Sequence, residues 1–128
     1  MILCDEVLPD PQRPGKHLIV GLTTQIEWPL GSPEPLRLER LVIYLILTGG
    51  RGWGMGQIVC YNEETEAVAF ASPPRPISFE DKEPTGHYGV TFRILDCPIP
   101  EPGIYIVKFL FDDKLVQQQF LKVRWSHE

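Results

Sequence analysis

The last third of the chain constrains the fold more than any other part of the sequence. Proline cannot donate to a sheet ladder and collects at strand entrances, and two prolines stand just before Gly103. Ile104–Phe111 then forms an extended run rich in β-branched and aromatic side chains, which favour a pleated surface. Asp112-Asp113-Lys114 is typical of a chain reversal, and Leu115–Trp125 returns. The segment therefore predicts one long β-hairpin and an antiparallel β class.

Turn-forming residues punctuate the rest of the chain at short intervals, as in all-β proteins. Between them lie the other predicted strands, Met1–Leu8, His17–Glu27, Arg37–Thr48, Gln57–Tyr61, Ala67–Ala71 and Gly86–Leu95. No segment of ten or more residues has apolar positions at helical spacing between caps. Glu34–Leu47 comes nearest, but its run Val42-Ile43-Tyr44 favours a strand. A single short helical turn is an alternative for Pro76–Lys82, within the long connection Ser72–Pro84.

The length of 128 residues is that of one domain. We therefore predict that residues 1–128 form a single antiparallel β-sandwich, immunoglobulin-like, with about seven to nine strands.

Two predicted strands, Arg37–Thr48 and Ile104–Phe111, are apolar on both faces, whereas a strand with one wet face should alternate. Their second apolar faces consist of Val42, Tyr44, Ile46, Ile104, Ile106 and Leu110. One interpretation is that loops such as Ser72–Pro84 cover these residues. The other is a self-association face buried in a homo-oligomer, since large exposed apolar patches usually mark interfaces. In that case an Asp or Lys at Tyr44 or Ile106 would split the oligomer.

The returning strand of the hairpin changes phase. Its apolar residues lie first on the face of Val116 and Phe120, and then on the face of Leu121 and Val123. A strand whose apolar face switches sides needs a bulge. The pattern predicts this bulge near Phe120–Leu121.

The segment Gly49–Gly56 is rich in glycine, as are loops whose backbone amides hold phosphate. However, neither G-x-x-x-x-G-K-[ST] nor G-x-G-x-x-G occurs in it. One interpretation is a flexible connection between strands. In the alternative it is a recognition loop for a small molecule or carbohydrate, with Trp53 stacked on a flat ligand and Arg51 contacting an anionic or carbonyl group. Trp28 and Trp125 would then extend the stacking platform.

Motifs of catalysis and of metal binding are missing from the sequence. It has no G-x-S-x-G elbow, and no C-x-x-C, H-x-x-x-H or H-x-H spacing of a zinc site. Cys97 is followed by no methionine, which argues against a blue-copper site. We therefore predict no metal, no cofactor and no enzymatic activity. An enzyme with an unrecognised site stays open as an alternative, because a catalytic triad needs no fixed spacing.

The charge and the cysteines indicate the compartment and the class of partner. A net charge of -5 argues against nucleic acid, which needs clustered Lys and Arg. No stretch approaches the roughly 20 apolar residues of a membrane span, and the first residues lack the pattern of a signal peptide. Three widely separated cysteines are not a disulfide framework. We expect a cytoplasmic module that binds itself or another protein.

Four short motifs resemble a group of small uncharacterised bacterial proteins of similar length with an immunoglobulin-like β-sandwich. They are I-L-C-D-E at Ile2–Glu6, L-I-V-G at Leu18–Gly21, P-x-P-G-x-Y at Pro100–Tyr105 and L-x-V at Leu121–Val123. The resemblance spans most of the chain but not Gly49–Pro84. It implies a fold and carries no activity, cofactor or site.

Overall fold

A computed structural model describes residues 1–28, 36–48, 50–80 and 87–125, with eleven strands and no helix among them. The strands are β1 (Ile2–Cys4), β2 (Glu6–Pro9), β3 (His17–Val20), β4 (Gln25–Trp28), β5 (Leu36–Leu47), β6 (Trp53–Asn62), β7 (Val68–Ala71), β8 (Arg75–Ser78), β9 (Tyr88–Ile99), β10 (Gly103–Phe111) and β11 (Lys114–Trp125). The predicted all-β class is confirmed. The number of strands is larger than predicted, because two predicted strands are each divided in two and the sequence did not predict β8.

The strands form three sheets. The smaller of the two main sheets has the order β1-β5-β9, and the larger has the order β4-β11-β10-β6-β7, with β8 also paired to β6. Strands β2 and β3 form a separate hairpin. All pairs are antiparallel except β4 and β11, which run parallel, so the larger sheet is mixed.

The two main sheets pack around one hydrophobic core. Alternation along β5 directs Ile43 and Leu45 inward, and alternation along β10 directs Tyr105, Val107 and Phe109 inward from the other sheet. All five side chains are fully buried. Removal of this apolar surface from water is the main force that holds the sheets together.

The glycine-rich segment contributes to the core as a strand. Strand β6 already begins at Trp53, so the predicted loop through Gly56 is wrong over its second half. A Cβ on Gly56 would lie 2.5 Å from Ile77 and 3.0 Å from Phe109. Glycine is therefore needed here for close packing, which explains why this glycine does not mark a turn.

The predicted first strands, Met1–Leu8 and His17–Glu27, are each divided in two. The division falls at Asp5, whose N–H donates to the Val20 carbonyl at 2.9 Å. Gly21 has a φ of 66°, and a Cβ at this position would collide with the Asp5 side chain. The chain therefore turns at both positions, which separates the β2–β3 hairpin from β1 and β4.

The connection Ser72–Pro84 contains strand β8, which pairs with Trp53–Gly56. The alternative of a helical turn over Pro76–Lys82 is therefore wrong up to Ser78, where the chain is extended. Asp81 and Lys82 lie outside the described residues.

The closing hairpin predicted from the sequence is confirmed. Its turn has two residues, Asp112 and Asp113, both with positive φ, and Lys114 already belongs to β11. The register passes from Gln117 opposite Phe109 to Leu115 opposite Leu110, which leaves Val116 as the extra residue.

The bulge predicted at Phe120–Leu121 is wrong, because the pairing is continuous there. Phe120 faces outward and Leu121 inward by simple alternation.

Tyr105 makes a partly buried hydrogen bond at the start of β10. Its hydroxyl donates to the carbonyl of Glu101, four residues upstream, at 2.6 Å. Burial is the main cause that raises the pKa of the Tyr105 hydroxyl above its ordinary value. The bond ties the chain entering β10 to the core.

Replacement of Tyr105 by phenylalanine should lower the free energy of unfolding by about 1–2 kcal/mol, because it removes a partly buried hydrogen bond. Urea unfolding followed by tryptophan fluorescence measures this. Tyr61→Phe is the matched control, since the Tyr61 hydroxyl has no hydrogen-bond partner in the described part of the chain. Equal midpoints for the two variants would contradict the assignment.

The three cysteines are free and buried. Burial is the main cause that raises the pKa of Cys60 and of Cys97 to about 12, in strands β6 and β9 of the two facing sheets. Burial also raises the pKa of Cys4. A protonated, enclosed thiol is a poor nucleophile, so these residues act as small apolar core residues.

We expect Cys60 and Cys97 not to react with an aromatic disulfide reagent at neutral pH in the folded protein, and to react in urea. The free energy of unfolding should also fall as the pH rises from the ordinary thiol value of 9.0 toward about 12. In this range the unfolded chain releases thiol protons that the folded chain retains. Rapid reaction of the native protein would contradict the buried placement.

Candidate functional site

The outer face of the larger sheet carries a continuous row of apolar side chains. Val68 lies opposite Tyr61, and Tyr61 lies opposite Ile106. Ile106 in turn lies opposite Phe120 on β11. These four residues, the apolar row, cross strands β7, β6, β10 and β11. Val68 is 61% exposed and Phe120 51% exposed, so the two ends of the row are open to solvent.

Polar side chains flank the apolar row on both sides. The Lys108 ammonium lies 4.9 Å from the centroid of the Tyr61 ring, a cation–π contact. Lys108 is opposite Gln118, and on the other side of the row the exposed Ile104 is opposite Lys122. An apolar centre with a polar rim is typical of a protein–protein interface.

The dimensions of this face suit a small interface. Strand spacing of about 4.8 Å and a rise of about 3.3 Å per residue give roughly 15 by 20 Å for β6, β10 and β11 over Ile104–Leu110. Strand β7 widens this face opposite Ile106–Lys108. Standard interfaces bury about 800 Å² per partner, and transient ones bury less. The face is therefore of the size expected for a transient interface.

Leu110, which the sequence placed on the same face, is partly covered. It is half-buried and lines a cleft of about 320 Å³ together with Pro74 and Asp113. Pro74 belongs to the connection Ser72–Pro84, so this connection borders the cleft beside Leu110. It leaves Ile104 exposed.

The second face of β5 lies on the far side of the core from the apolar row, so the predicted self-association residues form two separate faces. Val42 is fully buried in a small cluster with Cys4 and Val7, beneath the β2–β3 hairpin. Val42 is therefore removed from the predicted self-association face, because the chain covers it with its own hairpin. Tyr44 is half-buried, with its ring centroid 5.9 Å from that of His17.

Ile46, beyond the hairpin, is exposed. The sequence suggested the Ser72–Pro84 connection as the cover of this face. Over Val42, the cover is the β2–β3 hairpin instead.

An ion-pair cluster holds the hairpin against the smaller sheet. Glu6 on β2 lies 2.9 Å from Arg93 and 3.4 Å from Arg40. The Val7 N–H, and then the Arg93 guanidinium, hold the pKa of the Glu6 carboxyl below its usual value. The hairpin is thus fixed by charge as well as by the Val7 side chain.

The structure does not gather Arg51 and Trp53 into a concave site. Both side chains are exposed, and Trp53 lies opposite Ser78 at the start of β6. Neither residue lines the clefts described for this chain. Trp125 lies at the opposite end of the larger sheet, beyond the pair Val123–Gly103, so it forms no platform with Trp53. The side chain of Trp28 lies outside the described residues.

Among the residues that the structure describes, no group of three or more His, Cys, Asp or Glu side chains could hold a metal ion. His17 and His87 do line one cleft of about 280 Å³, beside Tyr44. Sequence spacing could not have found this pair, because β3 and the start of β9 are far apart in the chain. The described residues also contain no helix that is long and apolar enough to cross a membrane.

Three members of the apolar row, Tyr61, Val68 and Phe120, were missed as surface residues by the sequence analysis. Each belongs to a predicted strand, but only the register brings them into line with Ile106. The sequence does contain one indication that Phe120 is exposed, because Phe120 lies on the same face of the strand as the polar Gln118.

Comparisons with known proteins give no family for this chain. No family model matches it, and no curated protein matches it. Among solved structures it is similar to the "X-ray Crystal Structure of a Putative Lipoprotein from Bacillus anthracis", at 17% identity and a TM-score of 0.36, over 93% of this chain and 86% of the other. That likeness is too distant to carry an argument about fold or function. The resemblance to small bacterial proteins stays a prediction.

Replacement of Val42 by alanine should lower the free energy of unfolding by about 2 kcal/mol, because it leaves a cavity under the hairpin. The same truncation at the exposed Ile46 should cost about 0.5 kcal/mol or less. Urea unfolding at two protein concentrations measures both. A loss at Val42 that depends on protein concentration would mean that a second copy, and not the hairpin, covers this residue.

Proposed function

We propose that this protein is a non-enzymatic interaction module of the cytoplasm, built on an immunoglobulin-like β-sandwich, that self-associates through the apolar row. The observation that carries the proposal is the alignment of Val68, Tyr61, Ile106 and Phe120 across four neighbouring strands. The three free, buried cysteines support a reducing compartment.

Two features support the immunoglobulin-like assignment. Two sheets share one core, as in a sandwich. The Tyr105 hydroxyl, bonded to the backbone four residues upstream near the start of a strand, is similar to the tyrosine corner of immunoglobulin domains. The parallel strand β4 and the additional hairpin β2–β3 would be elaborations of that sandwich.

The apolar row suits a second copy of the same chain because it can pair with itself. Closed dimers have two-fold symmetry, so the same patch faces itself. With the two-fold axis parallel to the strands, the row of one copy lies on the reversed row of the other. Phe120 of one copy would then stack on Val68 of the other, and Tyr61 would contact Ile106. Lys108 and Lys122 flank the row, and their long stems would let the ammonium groups reach solvent at the rim.

The proposal predicts that a charge in the middle or at the end of the row abolishes self-association. Ile106→Lys and Phe120→Lys should each weaken the dimer by about 30-fold or more, because each buries an unpaired charge in an apolar contact. Sedimentation velocity over a range of protein concentrations measures the dissociation constant.

Ile46→Lys is the matched control, since Ile46 is exposed on the opposite face. A monomeric wild type at about 1 mM would contradict self-association. Dissociation by Ile46→Lys alone would place the interface on the smaller sheet instead.

A further inference from the structure

The open edges of the two main sheets meet in one cleft, away from the apolar row. Strand β7 is the last strand of the larger sheet, and β9 is the last strand of the smaller sheet. The cleft between them has a volume of about 460 Å³. Residues Phe70–Arg75 line one side and Phe92–Leu95 line the other. This volume is within the range of small ligand sites.

Backbone groups of β9 point into this open edge. The Thr91 carbonyl accepts a hydrogen bond from Arg75 Nη1 at 2.6 Å, from the side of the larger sheet. Alternation then directs the N–H and C=O groups of Arg93 and Leu95 to the same edge. In the described part of the chain, no hydrogen bond engages these two N–H groups from the open side.

The far edge of β5 confirms this direction. The Ile46 carbonyl accepts from Gln117 Nε2 at 3.1 Å, on the edge away from β9. The backbone N–H and C=O groups of its neighbours Leu45 and Leu47 therefore point toward β9. They bond to the backbone of the even-numbered residues of β9. The odd-numbered residues of β9 remain for the open edge.

Strand β7 offers a second open edge to the same cleft. The Ser72 N–H donates to the Ile58 carbonyl of β6 at 2.8 Å. Alternation leaves the backbone groups of Ala71 on the opposite side, toward the cleft. An extended segment in the cleft would therefore meet unpaired backbone groups on either side.

The charges in the cleft select the kind of segment. Arg75 lies 5.0 Å from the centroid of the Phe92 ring, and among the described residues it has no carboxylate partner. The other arginine in the cleft, Arg93, is already paired with Glu6. Among the residues that the structure describes, no Asp or Glu lines the cleft. Arg75 is thus the cation available to a ligand carboxylate.

One of the apolar side chains that line the cleft is exposed to solvent. Leu95 is 69% exposed. An added strand would cover it, as paired side chains cover each other in a sheet.

We propose that this cleft binds an extended acidic peptide segment of another protein, which adds as a strand to the open edge of β9. The backbone of the segment pairs with Arg93 and Leu95. A Glu or Asp side chain of the segment binds Arg75, and its apolar side chains cover Phe70 and Leu95. Main-chain pairing gives the affinity, and the arginine gives the preference for an acidic residue.

The test uses the whole protein, labelled with ¹⁵N, and the blocked peptide Thr-Val-Glu-Val-Thr-Val. Titration should shift the amide resonances of Ala71, Arg93 and Leu95 and slow their hydrogen exchange. The same peptide with Lys in place of Glu should bind about tenfold more weakly. A version methylated on alternate backbone nitrogens should not bind, because it cannot form the ladder.

Two variants of the protein isolate the backbone and the charge. Leu95→Pro removes an N–H on the open edge and should abolish binding, whereas Leu95→Ala keeps that N–H, loses only part of the apolar contact and should weaken binding by about fivefold. Arg75→Glu should reverse the preference between the Glu and Lys peptides.

Three results would overturn the proposal. The first is no shift at these amides up to about 1 mM peptide. The second is equal binding by Leu95→Pro and Leu95→Ala. The third is protection of Arg93 and Leu95 that rises with protein concentration in the absence of peptide, since a second copy would then occupy the edge. None of these depends on Ile106 or Phe120, so the self-association proposal stands or fails separately.

Discussion

The rest of the structure depends on the contact between the inward faces of β5 and β10. Ile43 and Leu45 from one sheet and Val107 and Phe109 from the other are completely removed from water. Neither sheet could be stable alone, because each has one face that must be buried. Once these faces meet, alternation assigns every other side chain of the two strands to an outer face. The outer faces, and what covers them, are therefore consequences of this one contact.

The two outer faces differ in how far the chain covers them. Over the smaller sheet, the β2–β3 hairpin brings Val7 onto Val42 and fixes itself through Glu6, Arg40 and Arg93. Over the larger sheet, the connection after β7 reaches only the end near Leu110. The hairpin is an economical cover because its own backbone is paired, so it adds few unsatisfied polar groups. The larger sheet has no such cover among the described residues, which is why its apolar row is the better candidate for a partner.

Local patterns in the sequence predicted those parts of the fold that depend on neighbours in the chain. The closing hairpin was found because its turn and both of its strands lie within one continuous segment. The division at Asp5 was not found, because it depends on contacts with Val20 and Gly21 that only the folded chain makes. The bulge lies at Val116 and not near Phe120–Leu121, because Phe120 is exposed, whereas an apolar pattern alone assigns a phenylalanine to the core. At the site, two-sided strands pointed to Ile104 and Ile106, but Val42 proved to be internal. The row through Tyr61 and Val68 needs the strand register, which a pattern of apolar residues does not supply.

The apolar row and the β9 edge represent two physically different ways for a sheet to associate. A face associates through side chains, so its strength follows the apolar area removed from water and changes with single large-to-charged substitutions. An edge associates through the backbone, so most side-chain changes leave it intact and proline blocks it. At the edge of β9, Arg75 already caps the carbonyl of Thr91, so part of the edge is occupied by a side chain of the same chain. The two proposed contacts use a face and an edge on different strands, so they would not compete with each other.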